Sequence, residues 1–145
     1  MAVAARTGFV LTSALFFAAA QASAQETAPA PSLQLELNAV QPSDKGCRLT
    51  FVVGNRLAGH LERVAFELAL FDRAGSVDRL AVLAFKDMPA GKTKVSRFDI
   101  AGLDCAGLGR VLVNEATDCV GVGVDPADCT RRLSTASKVG VEFGL

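Results

Sequence analysis

Short runs in which apolar and polar residues alternate, each closed by turn formers, constrain this chain more than any other feature. Leu33, Leu35 and Leu37 alternate with Gln34, Glu36 and Asn38, and a turn cluster follows at Gln41-Pro42-Ser43-Asp44-Lys45-Gly46. Leu49, Phe51 and Val53 repeat the pattern up to Gly54-Asn55. After the connection Arg56 to Arg63, the stretch Val64 to Phe71 sets Val64, Phe66, Leu68 and Leu70 on one face. Asp72-Arg73-Ala74-Gly75 is a hairpin-type turn, Val77 to Phe85 the next apolar stretch, and Met88-Pro89-Ala90-Gly91 a second turn. Lys92 to Ile100 is more polar and fits an edge strand, because Lys92, Lys94 and Arg97 would blunt an exposed edge. Arg110 to Glu115 and Lys138 to Phe143 supply the last two strands. Period-two alternation predicts half-buried strands. About seven of them with turns between predict an all-β fold, an immunoglobulin-like antiparallel β-sandwich. Asp125-Pro126 offers an N-cap followed by Pro at the first helical position, which predicts a short helix near the C-terminus within Pro126 to Leu133.

Residues 1–24 read as a secretory signal peptide. Arg6 is the positive start, Gly8 to Ala20 the apolar stretch, and Ala22-Ser23-Ala24 the small-x-small cleavage site. The apolar stretch falls short of the roughly 20 residues a membrane span needs. Gln25 to Ser32, with two Pro, reads as a flexible leader, and residues 33–145 as one sandwich domain. No membrane span is expected once the signal is removed, and the expected location is periplasmic or secreted.

Cys47, Cys105, Cys119 and Cys129 all follow the cleavage site, and an even count in an exported chain predicts disulfides. Four cysteines allow three connectivities. Cys119 with Cys129 is favoured by proximity, which leaves Cys47 with Cys105. A zinc site fits poorly, since no C-x2-C pair exists and the single His60 is far from any Cys in sequence.

The stretch from Asn55 through Val64-Ala65-Phe66-Glu67-Leu68 to Phe71-Asp72-Arg73-Ala74-Gly75, and on through Met88-Pro89-Ala90-Gly91-Lys92-Thr93 to Phe98, resembles the FxLYD-type immunoglobulin-like domains of exported bacterial proteins. The whole exported part also resembles small uncharacterised exported proteins of alphaproteobacteria. Phe71 stands where the family pattern has Tyr. The resemblance implies a fold and carries no catalytic residue across.

Composition narrows the chemistry. Lys+Arg and Asp+Glu are 15 each, a charge balance that disfavours nucleic-acid binding, which depends on neutralising phosphates. Trp and Tyr are absent, and sugar and single-strand sites lean on such stacking platforms. His60 lies between Gly59 and Leu61 in an expected loop, without a nucleophile elbow in the sequence to serve. Asp118, Asp125 and Asp128 do not have the spacing of a calcium loop, and Gly121-Val122-Gly123 lacks the Gly-Lys of a phosphate loop. Glu36, Glu67 and Glu142 alternate with apolar neighbours and are expected to face solvent.

No cofactor or metal site is therefore expected. What remains is a non-enzymatic, disulfide-stapled interaction module of the cell envelope with a protein partner. The alternative is a small periplasmic inhibitor or accessory subunit of an envelope enzyme. The candidate partner-binding loop is the longest connection, running from Asp118 to Arg132. It carries Asp118, Val120, Val122, Asp125, Asp128, Arg131 and Arg132, and long ordered loops on rigid sandwiches tend to bind.

Overall fold

The computed structural model describes residues 30–145. The strands are β1 (Leu33–Ser43), β2 (Gly46–Asn55), β3 (His60–Asp72), β4 (Val77–Met88), β5 (Thr93–Ala101) and β6 (Leu108–Val122). A single helical turn, α1 (Asp128–Arg131), leads to β7 (Leu133–Ser137) and β8 (Glu142–Gly144). Two four-stranded sheets result, ordered β5-β2-β1-β7 and β4-β3-β6-β8. This is the expected all-β sandwich with a short helix near its C-terminus. The signal peptide assigned to residues 1–24 lies outside the described residues, as does most of the leader.

Alternation explains the core. Leu33, Leu35 and Leu37 of β1 and Leu49, Phe51 and Val53 of β2 are all buried, as are Val64, Phe66, Leu68 and Leu70 of β3. Each such side chain contributes roughly 1.5–3 kcal/mol when fully removed from water. Aromatic rings meet between the sheets, edge to face. Phe51 of β2 lies 5.8 Å from Phe85 of β4 and 5.6 Å from Phe143 of β8, and Phe85 lies 5.1 Å from Phe98 of β5. T-shaped contacts of this kind satisfy the ring quadrupoles better than face-to-face stacking.

Two expectations about strands need correction. The stretch Lys138 to Phe143 is not one strand, since only its end belongs to β8, and an additional strand, β7, precedes it, which brings the described residues to eight strands. A bend at residues 138–141 separates β7 from β8, organised by the Ser137 hydroxyl. Ser137 Oγ lies 2.6 Å from the Val141 carbonyl and accepts from the Val139 N–H. The sheets are also not wholly antiparallel. The chain leaves β6, crosses to the other sheet through α1, and lays β7 parallel to β1. It then turns back and pairs β8 parallel to the first part of β6.

Strand β3 buries more than its inward face. Ala65 and Ala69 point outward yet are 1% and 5% exposed, because longer neighbours shield them: Asp118 beside Ala65, and Leu80 and Leu112 beside Ala69. β5 is an edge strand as expected, carrying Lys94 and Arg97, while Lys92 sits in the turn before it.

Both favoured disulfides are present. Cys47 of β2 joins Cys105 in the β5–β6 connection with Cα atoms 5.1 Å apart, and Cys119 of β6 joins Cys129 of α1 at 6.1 Å. They sit at opposite ends of the sandwich. Cys47 is at the Gly46 end of β2, whereas Cys119 is at the end where β2 passes into β3, since His60 pairs with Val122.

Candidate functional site

The segment from Asp118 to Arg132 is not one loop. β6 continues through Asp118, Val120 and Val122, all paired with β3, and the true connection runs over residues 123–132. The strand outlasts its alternation because register shifts along β3 absorb the extra residues of β6. Close backbone contact fixes where it ends. A Cβ on Gly121 would overlap the His60 carbonyl, and one on Gly59 would overlap the Val122 carbonyl. Only glycine lets the start of β3 lie this near the end of β6.

Beyond β6 the chain turns at Gly123, whose φ is 73°. Asp125 Oδ1 then accepts the Ala127 N–H at 2.9 Å. The helix starts at Asp128, with Ala127 at the N-cap position and no side-chain cap. Asp125 therefore closes the turn before the helix instead of capping it, the role the sequence suggested. The cause is a backbone turn in which the Asp128 N–H donates to the Asp125 carbonyl, delaying the first helical residue.

The charges of the segment neutralise one another. Arg63 reaches Asp118 at 2.7 Å, Arg131 reaches Asp125 at 2.9 Å, and Arg132 reaches Asp128 at 2.9 Å. Exposed pairs of this kind add little stability, about 0–1 kcal/mol each. The segment also exposes two large apolar side chains: Val120 is 47% and Val122 73% exposed. Thr130 of the segment borders a cavity of about 250 Å³ whose lining mixes apolar Phe66, Val113 and Leu133 with polar Asn114 and Glu115. The seven sequence-derived candidates thus gather at one end of the sandwich, divided between a strand terminus and a disulfide-tied cap.

His60 is not a loop residue. It opens β3 opposite Val122, and its Nε2 lies 3.6 Å from Asp87 Oδ1. Lys94 Nζ lies 3.6 Å from the other Asp87 oxygen, so one carboxylate lies between two basic side chains. Glu36, Glu67 and Glu142 occupy three different strands. Glu67 accepts from Asn114 Nδ2 at 2.7 Å and Glu142 lies 3.6 Å from Arg110. Among the described residues, no three His, Cys, Asp or Glu side chains gather as a metal site, and no helix is long and apolar enough to cross a membrane.

The residue that sequence reasoning underrated is Asn55, fully buried at the end of β2. Its Nδ2 donates to the carbonyls of Gly59 at 2.9 Å and Met88 at 2.8 Å, and its Oδ1 accepts the Leu57 N–H at 3.0 Å. Its backbone also accepts the Gly91 N–H and donates to the Lys92 carbonyl. One amide therefore ties the β2–β3 turn to the β4–β5 turn, and these turns support the end on which the cap sits. Comparison with protein-family models, with curated proteins and with solved structures finds no match for this chain.

Proposed function

We propose that the protein is a non-enzymatic, exported interaction module of the cell envelope, and that it binds a protein partner through the cap end. The observation carrying this reading is the Val120–Val122 pair. Two exposed β-branched residues stand on a strand end whose neighbours Asp118, Asp125, Asp128, Arg131 and Arg132 are ion-paired, beside a connection held by the Cys119–Cys129 bridge. A braced apolar patch with a satisfied polar rim loses little entropy when a partner covers it. The two disulfides support an oxidising compartment.

The test is crosslinking in an envelope fraction with the oxidised protein. V120S/V122S leaves the buried alternation untouched and should lose most partner capture. A Gly/Ser replacement of residues 123–127 that keeps both cysteines should weaken it as well. Unchanged capture by V120S/V122S refutes the assignment and moves the contact to the sheet edges near Lys92 and Lys94.

A further inference from the structure

We propose that the cavity beneath β6 is a binding site for a small amphipathic cation, a molecule that joins one aromatic ring or short branched chain to an ammonium head. The space arises where cover on β6 runs out. β8 pairs with β6 only over Arg110 to Leu112, and α1 is tied to β6 further along by the Cys119–Cys129 bridge. Between those two covers, residues 113–118 of β6 have no strand on the side away from β3. Leu133, at the start of β7 in the other sheet, lines the same space from across the sandwich. What is left open is the cavity of about 250 Å³.

One small residue makes the room. Ala116 packs against the core opposite Phe66, between Val113 and Cys119 along β6. A side chain the size of its neighbours would occupy what the Ala116 methyl leaves free. The bottom of the cavity, formed by Phe66, Val113 and Leu133, is buried and apolar. Asn114, Glu115 and Thr130, which complete the lining, are exposed and polar. Small-molecule sites have this layout, an apolar recess with a few polar groups that orient the ligand. Volume bounds the apolar part. An apolar cavity of about 150 Å³ accepts benzene, whereas drug-sized ligands need roughly 300–1,000 Å³. One ring or one short branched chain therefore fits.

Charge selects the head group. Glu115 stands across from Glu67 in the β3–β6 register, and among the described residues neither carboxylate has a basic partner. Glu67 accepts the Asn114 amide at 2.7 Å. The arginines next to Thr130 are already engaged, Arg131 with Asp125 and Arg132 with Asp128. The mouth thus carries unbalanced negative charge, and two like charges side by side on a sheet favour a cation between them. Strand geometry excludes an extended peptide. Leu68 pairs with Val113 and Glu67 with Glu115, which leaves Asn114 as an extra residue, and Thr117 is extra in the same way. Two bulges so close together break the regular row of N–H and C=O groups that a docking strand needs. Neither Val120 nor Val122 lines the cavity, so this site is independent of the protein-binding patch.

Three probes of one size separate the contributions: benzylamine, neutral benzyl alcohol and anionic benzoate. Each is titrated to about 20 mM into the oxidised protein and followed by carbon–proton NMR, a range suited to ligands this small. Benzylamine should give saturable shifts at the Val113 and Leu133 methyls and the Phe66 ring, and none at Val95 on the far sheet. It should bind about 3- to 5-fold more tightly than benzyl alcohol, the gain expected of a partly exposed ion pair, and benzoate should bind more weakly than either. A116L, checked for native far-UV circular dichroism and both disulfides, should weaken benzylamine and benzyl alcohol alike by roughly 10-fold or more. E115K should bring benzylamine to the level of benzyl alcohol. The wild-type shift map decides the location whether or not A116L folds. Absence of saturable shifts at Val113 and Leu133 overturns the proposal. So does binding that a folded A116L leaves intact, benzoate binding as tightly as benzylamine, or a benzylamine preference that E115K leaves unchanged.

Discussion

Replacing Asn55 tests how the two turns at the cap end are held. In N55A the Leu57 N–H and the Gly59 and Met88 carbonyls lose their partner together, and all three residues are buried. A buried polar group left unpaired costs about 1–3 kcal/mol, so the loss sums to roughly 4 kcal/mol once partial relaxation is allowed. That is a large share of the roughly 5–15 kcal/mol of a typical domain. N55D is more discriminating. It keeps the side-chain volume and the acceptor for Leu57, but puts a second oxygen against two carbonyl oxygens. The folded state therefore favours the protonated carboxyl and raises its pKa above the unfolded value of about 3.9. A group raised in this way costs nothing extra where both states are protonated. Relative to wild type, N55D should be most stable below about pH 4 and then lose about 1.4 kcal/mol per pH unit until the folded pKa is passed. N55A should show no such dependence relative to wild type. Urea unfolding at pH 4 and pH 7 measures both variants, followed by far-UV circular dichroism because the chain lacks Trp and Tyr. A cost below about 1 kcal/mol for N55A, or an N55D deficit equal at the two pH values, would refute the reasoning.

Other outcomes follow from the same geometry. The denatured, unreduced protein should titrate no free thiol, and peptide mapping should join Cys47 to Cys105; the C119S/C129S pair should lose about 3 kcal/mol in urea unfolding, as closure of a short loop predicts. G121A should destabilise by about 2 kcal/mol or more through the clash with the His60 carbonyl, whereas G140A, whose Cβ meets nothing within 4 Å, should stay within about 0.5 kcal/mol of wild type. The hydrogen bond from Arg48 holds the Asp99 carboxyl below its ordinary pKa, so this group contributes stability above the unfolded carboxylate pKa and loses it as pH falls through the depressed folded value. R48Q should bring the Asp99 titration, followed by carboxyl NMR, back up toward the ordinary range.

The strands that were plain in the sequence bury one face by themselves. Leu33-Leu35-Leu37 and Phe66-Leu68-Leu70 announce their inward side because burial repeats every second residue. Turns were equally legible where local chemistry makes them: Asp72 Oδ1 accepts the Ala74 and Ser76 N–H groups, as an Asx turn requires. What stayed hidden depends on partners far along the chain. Leu133-Ser134-Thr135-Ala136-Ser137 has no strong alternation and is a strand because β1 lies beside it. The continuation of β6 past Glu115 rests on shifts in register that break its own periodicity. Asn55 reads as a turn polar residue, and its role emerges only when Met88, 33 residues on, comes within 2.8 Å. At the cap, the bridge and the charged residues were visible from spacing and composition, but their mutual pairing and the exposure of Val120 and Val122 were not.

The two disulfides divide the chain unevenly when it is put under tension. Cys47–Cys105 withholds 58 residues and Cys119–Cys129 another 10, together more than half of the stretch from Leu33 to Leu145. Drawn apart by its ends, the oxidised domain can release only β1, the first part of β6, and the β7–β8 tail. All of β3, β4 and β5 sits inside the larger covalent loop and bears none of the load. Its contour length is therefore redox-controlled: in reducing conditions the same pull would extend the whole domain, and the force trace should more than double in length.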